Sequence, residues 1–229
     1  MRPVLDALLD RLDREIDDVF FVQIGAMDGV AHDPIHAHIK ENAWGGMFVE
    51  PLKDFFIQLR ANYSGLDNVI FENVAITESD EVRKINRIPL RSIHNSGVPI
   101  WAKGISSFFT DRNAIGGVGC SKEIYDVIRP LIVEEDVNCI TLETLLARNK
   151  IKKIDLLQID TEGYDFRILK QLDFSRYRPF VINMEFALLP DNEKSECLSL
   201  LSAHGYNTMM SSQNDLVATV WDIEKARVS

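Results

Sequence analysis

The chain predicts a doubly wound α/β fold, a mostly parallel sheet with helices on both faces. Three observations predict it. Short apolar runs such as Phe20-Phe21-Val22-Gln23-Ile24, Met47-Phe48-Val49 and Ile154-Asp155-Leu156-Leu157-Gln158-Ile159 suit strands buried on both faces. Segments of helical periodicity separate them, as β-α alternation in a parallel sheet requires. Polar residues, mostly acids, end the runs: Asp28, Glu50, Asn73, Asp160, Glu162 and Glu185. In such sheets ligands bind beyond the carboxyl ends of the strands, where the strand order switches.

Taken in order, residues 4–18 space Val4, Leu5, Leu8, Leu9, Leu12 and Ile16 as an amphipathic lead-in helix. Residues 19–24 form the first strand. A helix over 34–43 follows, with Asp33 as N-cap and Pro34 at its first position. Strand two covers 47–50, a helix 52–62 stops before Gly65, and 69–76 reads as strand three. The rhythm then breaks. A strand fits 82–88, but 89–120 carries Pro89, Pro99 and several glycines among turn-forming residues. An irregular insertion of this length, set at 82–130, reads as a functional loop or lid. Regularity resumes with a helix at 121–129, a strand at 132–138 and a helix at 141–149 opened by Thr141. Strand 154–160, helix 164–172, strand 180–186, helix 191–203 and strands at 206–210 and 216–221 complete the chain. Length fits one domain over 1–229.

The first two strands carry the chemistry. Gly25-Ala26-Met27-Asp28-Gly29 makes a glycine-bearing turn after strand one, and Glu50 ends strand two, 21 residues after Gly29. In nucleotide-binding βαβ units an acid at that distance reaches ribose hydroxyls, while the turn lets backbone approach the ligand. An adenosine-type cofactor is the expectation. Five acids among the six strand-end residues would repel a pyrophosphate and suit hydroxyls, amines or positive charge. A nicotinamide-dependent oxidoreductase shares the βαβ start and the ribose acid. It wants G-x-G-x-x-G, which this turn lacks.

Five blocks then resemble the FkbM-type family of S-adenosylmethionine-dependent methyltransferases. They are Val22-Gln23-Ile24-Gly25-Ala26-Met27-Asp28-Gly29-Val30, Trp44-Gly45-Gly46-Met47-Phe48-Val49-Glu50-Pro51, Asn73-Val74-Ala75-Ile76, Gly104-Ile105-Ser106-Ser107-Phe108 and Ile154 through Gly163. The last, with Asp160-Thr161-Glu162-Gly163 after a buried strand, is the most specific. The resemblance implies a seven-stranded, Rossmann-like class I methyltransferase sheet with its last strand antiparallel. It implies S-adenosylmethionine as donor and a hydroxyl as acceptor, on a sugar, glycan or secondary metabolite. By position, Gln23, Gly25, Ala26, Asp28 and Gly29 would lie under the donor's amino-acid part. Glu50 and Pro51 would sit at the ribose, and Asn73, Val74 and Ala75 beside the adenine. Asp160 and Glu162 would face the methionine end and the acceptor. Two positions depart from the pattern: many members have an acid at Gln23 and asparagine at Met27. A non-catalytic cofactor-binding module of the same fold is therefore the alternative from another class.

Methyl transfer to a hydroxyl needs a proton acceptor beside it. The candidates, in order, are Glu162, Asp160, Glu185 and His94, with Asp160 alternatively holding the donor's ammonium. His32, His36 and His38 have i, i+2 spacing, which does not align ligands on one helical face, so no metal is expected. Trp101 and Phe108-Phe109 suit either stacking on a sugar or anchoring the lid.

Composition sets the remaining bounds. The 229 residues are 46% apolar and 26% charged, with net charge −10. No Lys/Arg-rich run marks a nucleic-acid face. Cys120, Cys139 and Cys197 are odd in number and widely spaced, which fits reduced thiols. No signal peptide or membrane-spanning run is visible, and a cytoplasmic location is the default expectation. The expected partner is a small-molecule or glycan acceptor. Oligomeric state stays open, a homodimer being one option.

Overall fold

The computed structural model describes residues 4–93 and 97–222. Its helices are α1 (Val4–Glu15), α2 (His36–Asn42), α3 (Lys53–Asn62), α4 (Leu90–Ile93), α5 (Lys122–Ile128), α6 (Leu142–Arg148), α7 (Asp165–Leu169) and α8 (Asp191–Ala203). Its strands are β1 (Phe20–Ile24), β2 (Gly45–Val49), β3 (Val69–Glu72), β4 (Ala75–Ile76), β5 (Glu81–Arg87), β6 (Ser106–Ser107), β7 (Val133–Ile140), β8 (Leu156–Ile159), β9 (Val181–Glu185), β10 (Asn207–Met210) and β11 (Asp215–Thr219).

Seven strands make the main sheet in the order β10-β11-β9-β8-β1-β2-β3. β11 runs antiparallel to both β9 and β10, and the other pairs are parallel. The doubly wound sheet with an antiparallel last strand is thus present. Alternate residues of each strand feed opposite cores, as the two-residue side-chain period demands. Phe21, Phe48, Leu156, Val181 and Val217 pack under α1 to α3 through Leu8, Leu12, Ile39 and Leu59. Val22, Met47, Leu157 and Ile182 pack on the other face against Leu145, Phe166, Ile168 and Leu201. The chain winds outward from β1 to β3, then returns to lay β8 on the other side of β1. The strand order therefore switches between β1 and β8, and their carboxyl ends define the crevice where ligands bind.

The structure corrects four expectations. Residues 69–76 are not one strand: β3 stays in the main sheet, while β4 joins a second sheet ordered β4-β7-β5-β6. The Asn73 amide causes the break by donating to the carbonyls of Glu50 (2.8 Å) and Pro51 (2.9 Å), which turns the chain away. The strand near 132–138 likewise belongs to the second sheet, as β7. It pairs with β5 along the register Glu81↔Cys139 to Arg87↔Val133. The insertion is accordingly less irregular than its composition implies. β5 opens it, and Ile88, Val98, Ala102, Ile105, Ala114, Ile115 and Ile128 give it a core of its own. Finally, α2 starts at His36 with Ile35 as an uncapped N-cap, not at Pro34 behind Asp33. Asp33 still accepts the Ile35 amide at 2.9 Å, and its other oxygen turns inward.

Thr141 caps α6 as its spacing predicts, its hydroxyl accepting from the Thr144 amide at 3.0 Å. The three cysteines are free. Among the described residues no helix is long and apolar enough to cross a membrane.

Candidate active site

A cavity of about 420 Å³ opens over the β1–β8 switch, within the size range of ligand pockets. Strand ends supply its floor: Gln23 and Ile24 from β1, Glu50 after β2, Gln158 and Asp160 from β8 and beyond, Glu185 on β9 and Asp215 on β11. From β2 to β11 this is four strand spacings, roughly 19 Å. The second sheet and insertion close one side with Ala75, Ile76, Ile85, Trp101, Ile105 and Phe108.

Gly25 sets the floor's shape. Its φ is +83°, and a Cβ there would lie 1.8 Å from the Asp160 carbonyl oxygen. Only glycine lets the turns after β1 and β8 touch. The turn continues through Met27 at φ +47°, a left-handed conformation costing a side-chain-bearing residue about 1 kcal/mol. That geometry aims the Met27 amide at Glu50 Oε2 (2.8 Å), while the Leu52 amide donates to Oε1 (2.8 Å). A carboxylate offers about four acceptor directions, so each oxygen keeps one. Two adjacent hydroxyls match what remains. Glu50 is 5% exposed, and burial pushes its carboxyl up to about 7 despite these donors.

The acids at the β8 and β9 ends crowd together. Glu162 stands at φ +55°; Asn113 donates to its Oε2 at 2.7 Å, and burial holds it at about 7. Asp160 is exposed to the cavity but ringed by protein. Desolvation first, then Glu162, Asp165, Asp215 and Asp33, push its carboxyl well up. Asp165, fully buried beneath, accepts the Gly163 and Thr161 amides and sits at about 6. Glu185 lies directly opposite Asp215 in the β9–β11 register. Burial and neighbouring acids raise Glu185 to about 11.

Six carboxylates therefore line the cavity: Asp33, Glu50, Asp160, Glu162, Glu185 and Asp215. No lysine or arginine lines it among the described residues. Three buried side-chain oxygens on its wall lack a partner: Gln23 Oε1, Thr161 Oγ1 and Glu185 Oε2. Leaving such a group unmet costs about 1–3 kcal/mol, so the wall is built for a polar ligand: Gln23 Oε1 takes a donor, and the Thr161 hydroxyl can donate or accept. Among the described residues no cluster of His, Cys, Asp and Glu has metal-site geometry.

The family model for the methyltransferase FkbM domain matches residues 23–208, most of the chain and all of this site. The chain belongs to the FkbM methyltransferase family. Among solved structures it is similar to a methyltransferase FkbM from Methylobacillus flagellatus KT, with TM-score 0.50 and 11% identity. That match covers 95% of this chain and 48% of the other, so the chain spans about half of that protein's length. It is also similar to a METTL16 methyltransferase domain, with TM-score 0.48, 10% identity and coverages of 95% and 67%. A third is a precorrin-6y C5,15-methyltransferase from Geobacter metallireducens GS-15, with TM-score 0.44, 15% identity and coverages of 93% and 87%. Identities this low speak to fold alone. Among curated proteins no sequence match is found.

In this FkbM-family site, ten of the residues marked in the sequence line the cavity: Gln23, Gly25, Ala26, Glu50, Pro51, Val74, Ala75, Asp160, Glu162 and Glu185. Asp28, Gly29 and Asn73 do not. Asp28 Oδ1 accepts the Val30 and Ala31 amides, and Oδ2 meets Lys103 Nζ at 3.2 Å. Burial works against its charge, but those amides and Lys103 outweigh it and hold the carboxyl below its usual value. At Gly29 a Cβ would strike Leu59 and Tyr63, so the residue serves helix packing. Asn73 clamps the turn after β2 from behind. His94 lies outside the described residues. Trp101 lines the cavity and is 38% exposed, whereas Phe109 stacks on Tyr164 and anchors the insertion. Sequence reasoning missed Asp33 as a cavity residue and Asp215 altogether.

Proposed function

We propose that the chain transfers a methyl group from S-adenosylmethionine to a hydroxyl of a sugar, glycan or secondary metabolite. One observation supports the reading: a cavity lined by six acidic side chains and by no lysine or arginine among the described residues, with Gln23 Oε1 left as an unmet acceptor. S-adenosylmethionine offers two ribose hydroxyls, an ammonium and a sulfonium against a single carboxylate, a net positive charge. A dinucleotide would bring phosphate charge against those acids. The residues present thus fit the donor. When bound, it supplies a methyl group on positively charged sulfur, open to attack by an oxygen nucleophile.

The chain's residues then have distinct tasks. Glu50 grips the ribose hydroxyls through its two free acceptor directions. Val74, Ala75, Leu52 and Phe55 offer an apolar slot for the base. Glu162 is the best proton acceptor. Its Oε2 is fixed by Asn113, its Oε1 is left for the acceptor hydroxyl, and a value of about 7 suits a base at neutral pH. Glu185, held protonated, donates rather than accepts at that pH, which ranks it below Glu162. Asp160 lies between these two roles and the donor's charge. The insertion shields the reacting groups from water.

Titration calorimetry with S-adenosylmethionine and with NADH tests the assignment. Heat with the first and none with the second is expected; heat with NADH alone overturns it. Glu50→Ala should weaken donor binding more than tenfold, and unchanged affinity would remove Glu50 from the ribose. Comparing methylated glycans and metabolites in cells with and without the gene identifies the acceptor.

A further inference from the structure

The opening stretch of the insertion differs in composition from the rest of the chain. Residues 82–110 hold no Asp or Glu and five Lys or Arg, while the whole chain carries 35 acids and a net charge of −10. Within this stretch the helical turn Ile100–Lys103 exposes two large apolar side chains in succession. Ile100 is 72% exposed and Trp101 38%. Two anchors turn them outward: Ala102 is wholly buried in the core of the insertion, and Lys103 is held by Asp28 at 3.2 Å. The Gly104 amide closes the turn on the Trp101 carbonyl at 3.0 Å. Ile100 lies outside the cavity lining and Trp101 within it, so the turn joins the cavity wall to the outer surface. α4 packs beside this turn and presents Arg91, exposed and without a carboxylate partner among the described residues.

We propose that this turn, with Arg91 beside it, seats the protein on the surface of an anionic lipid bilayer. Three properties favour lipid over a folded partner. Ile and Trp side chains suit the boundary between headgroups and acyl chains, where Trp keeps its N–H wet and its ring buried. Charge is complementary, since an acid-free stretch with an unpaired arginine meets acidic headgroups. The shape is a four-residue turn, neither a groove nor a long helix face, so a protein partner finds no seam along it. A fluid headgroup layer closes around such a point. The net charge of the chain opposes the approach, but salt screens charges lying more than about 8–10 Å from the contact. The contact is independent of which methyl donor the cavity takes.

Vesicle sedimentation tests it, with vesicles of phosphatidylcholine alone and of phosphatidylcholine containing one-third phosphatidylglycerol. The unaltered chain should sediment with the mixed vesicles at least about fivefold more than with the neutral ones. Ile100→Asp should cut that binding at least about fivefold, and Arg91→Glu should do the same. Both side chains are exposed, so the urea midpoints of the variants should match that of the unaltered chain, which separates lost contact from misfolding. Trp101 reports the contact directly. Mixed vesicles should shift tryptophan emission to the blue, and Trp101→Phe should abolish the shift, because Trp44 is buried and Trp221 stacks on Phe180. No sedimentation with either vesicle overturns the inference. Equal sedimentation with both overturns it too, by removing the charge complementarity that selects an anionic bilayer. Binding or an emission shift that survives these substitutions gives the contact to another surface. Self-association lost on Ile100→Asp, with vesicles ignored throughout, assigns the turn to a second copy of the chain and excludes the bilayer.

Discussion

Gly25 is where two chain segments touch, and at the scale of single residues it is the least replaceable position in the site. A methyl group there would meet the Asp160 carbonyl at 1.8 Å with φ at +83°. Relief requires parting β1 from β8 or moving the turn that aims the Met27 amide at Glu50. Gly25→Ala should therefore destabilise by more than about 3 kcal/mol, combining a backbone clash with left-handed strain. Gly65→Ala is the control, since nothing lies within 4 Å of its would-be Cβ. It should be neutral or stabilise by up to about 1 kcal/mol through the unfolded chain. Urea unfolding midpoints of the two variants check this, and similar midpoints would refute the account. Glu50, Asp160, Glu162 and Glu185 were legible because each ends or follows an apolar run. Asp33 was not, because an acid before Pro34 reads equally as a helix cap. Asp215 was hidden for another reason: only the β9–β11 register sets it opposite Glu185, and pairing across a sheet is not written locally.

At the scale of elements, the insertion is fastened to the main sheet at identifiable points. Lys103 reaches Asp28 on the turn after β1. Ser107 donates to the Glu162 carbonyl at 2.9 Å, and Arg112 spans the Gly163 carbonyl and Glu193 while lying 3.6 Å from the Phe109 ring centre. The first clasp joins the short helical turn Ile100–Lys103 to the turn after β1. Its two side chains are 20% and 11% exposed, so the pair contributes about 1 kcal/mol. Lys103→Ala should speed amide exchange in residues 100–108 about fivefold, with β1, β8 and β9 unaffected. Equal exchange in the variant would mean that the apolar core of the insertion holds it without the clasp. The strands of the main sheet were readable because burial on both faces forces continuous apolar runs. The β3–β4 break was not, because Val-Ile-Phe-Glu-Asn-Val-Ala-Ile keeps its apolar character across the turn that the Asn73 amide makes. The second sheet was missed because β5 and β7 are charged on their exposed faces and 45 residues part them, as Arg87 and Val133 mark.

At the scale of the whole molecule, the site makes folding sensitive to pH in an unusual direction. Glu50 and Glu162 rise from 4.5 to about 7, Asp165 from 3.8 to about 6, and Glu185 from 4.5 to about 11. Each binds its proton more tightly in the folded chain. Its contribution is complete below the unfolded value and drains away as pH rises through the folded one. Asp28 and Glu78, both lowered, act oppositely and lose their contribution only in acid. Between pH 5 and pH 7 the raised groups therefore dominate, and Glu185 continues to pH 8 and beyond. Each contributes up to about 1.4 kcal/mol per pH unit while it titrates. At roughly 2–4 °C per kcal/mol for a chain of this size, Tm should fall by on the order of 5 °C or more from pH 5 to pH 8. A cationic ligand offsets the same repulsion, so S-adenosylmethionine should raise Tm more at pH 8 than at pH 5. Scanning calorimetry across that range reads both quantities. A flat or rising profile without ligand would mean that the carboxylates are not crowded in solution as they are in this fold, and the electrostatic basis of the donor assignment would be lost with it.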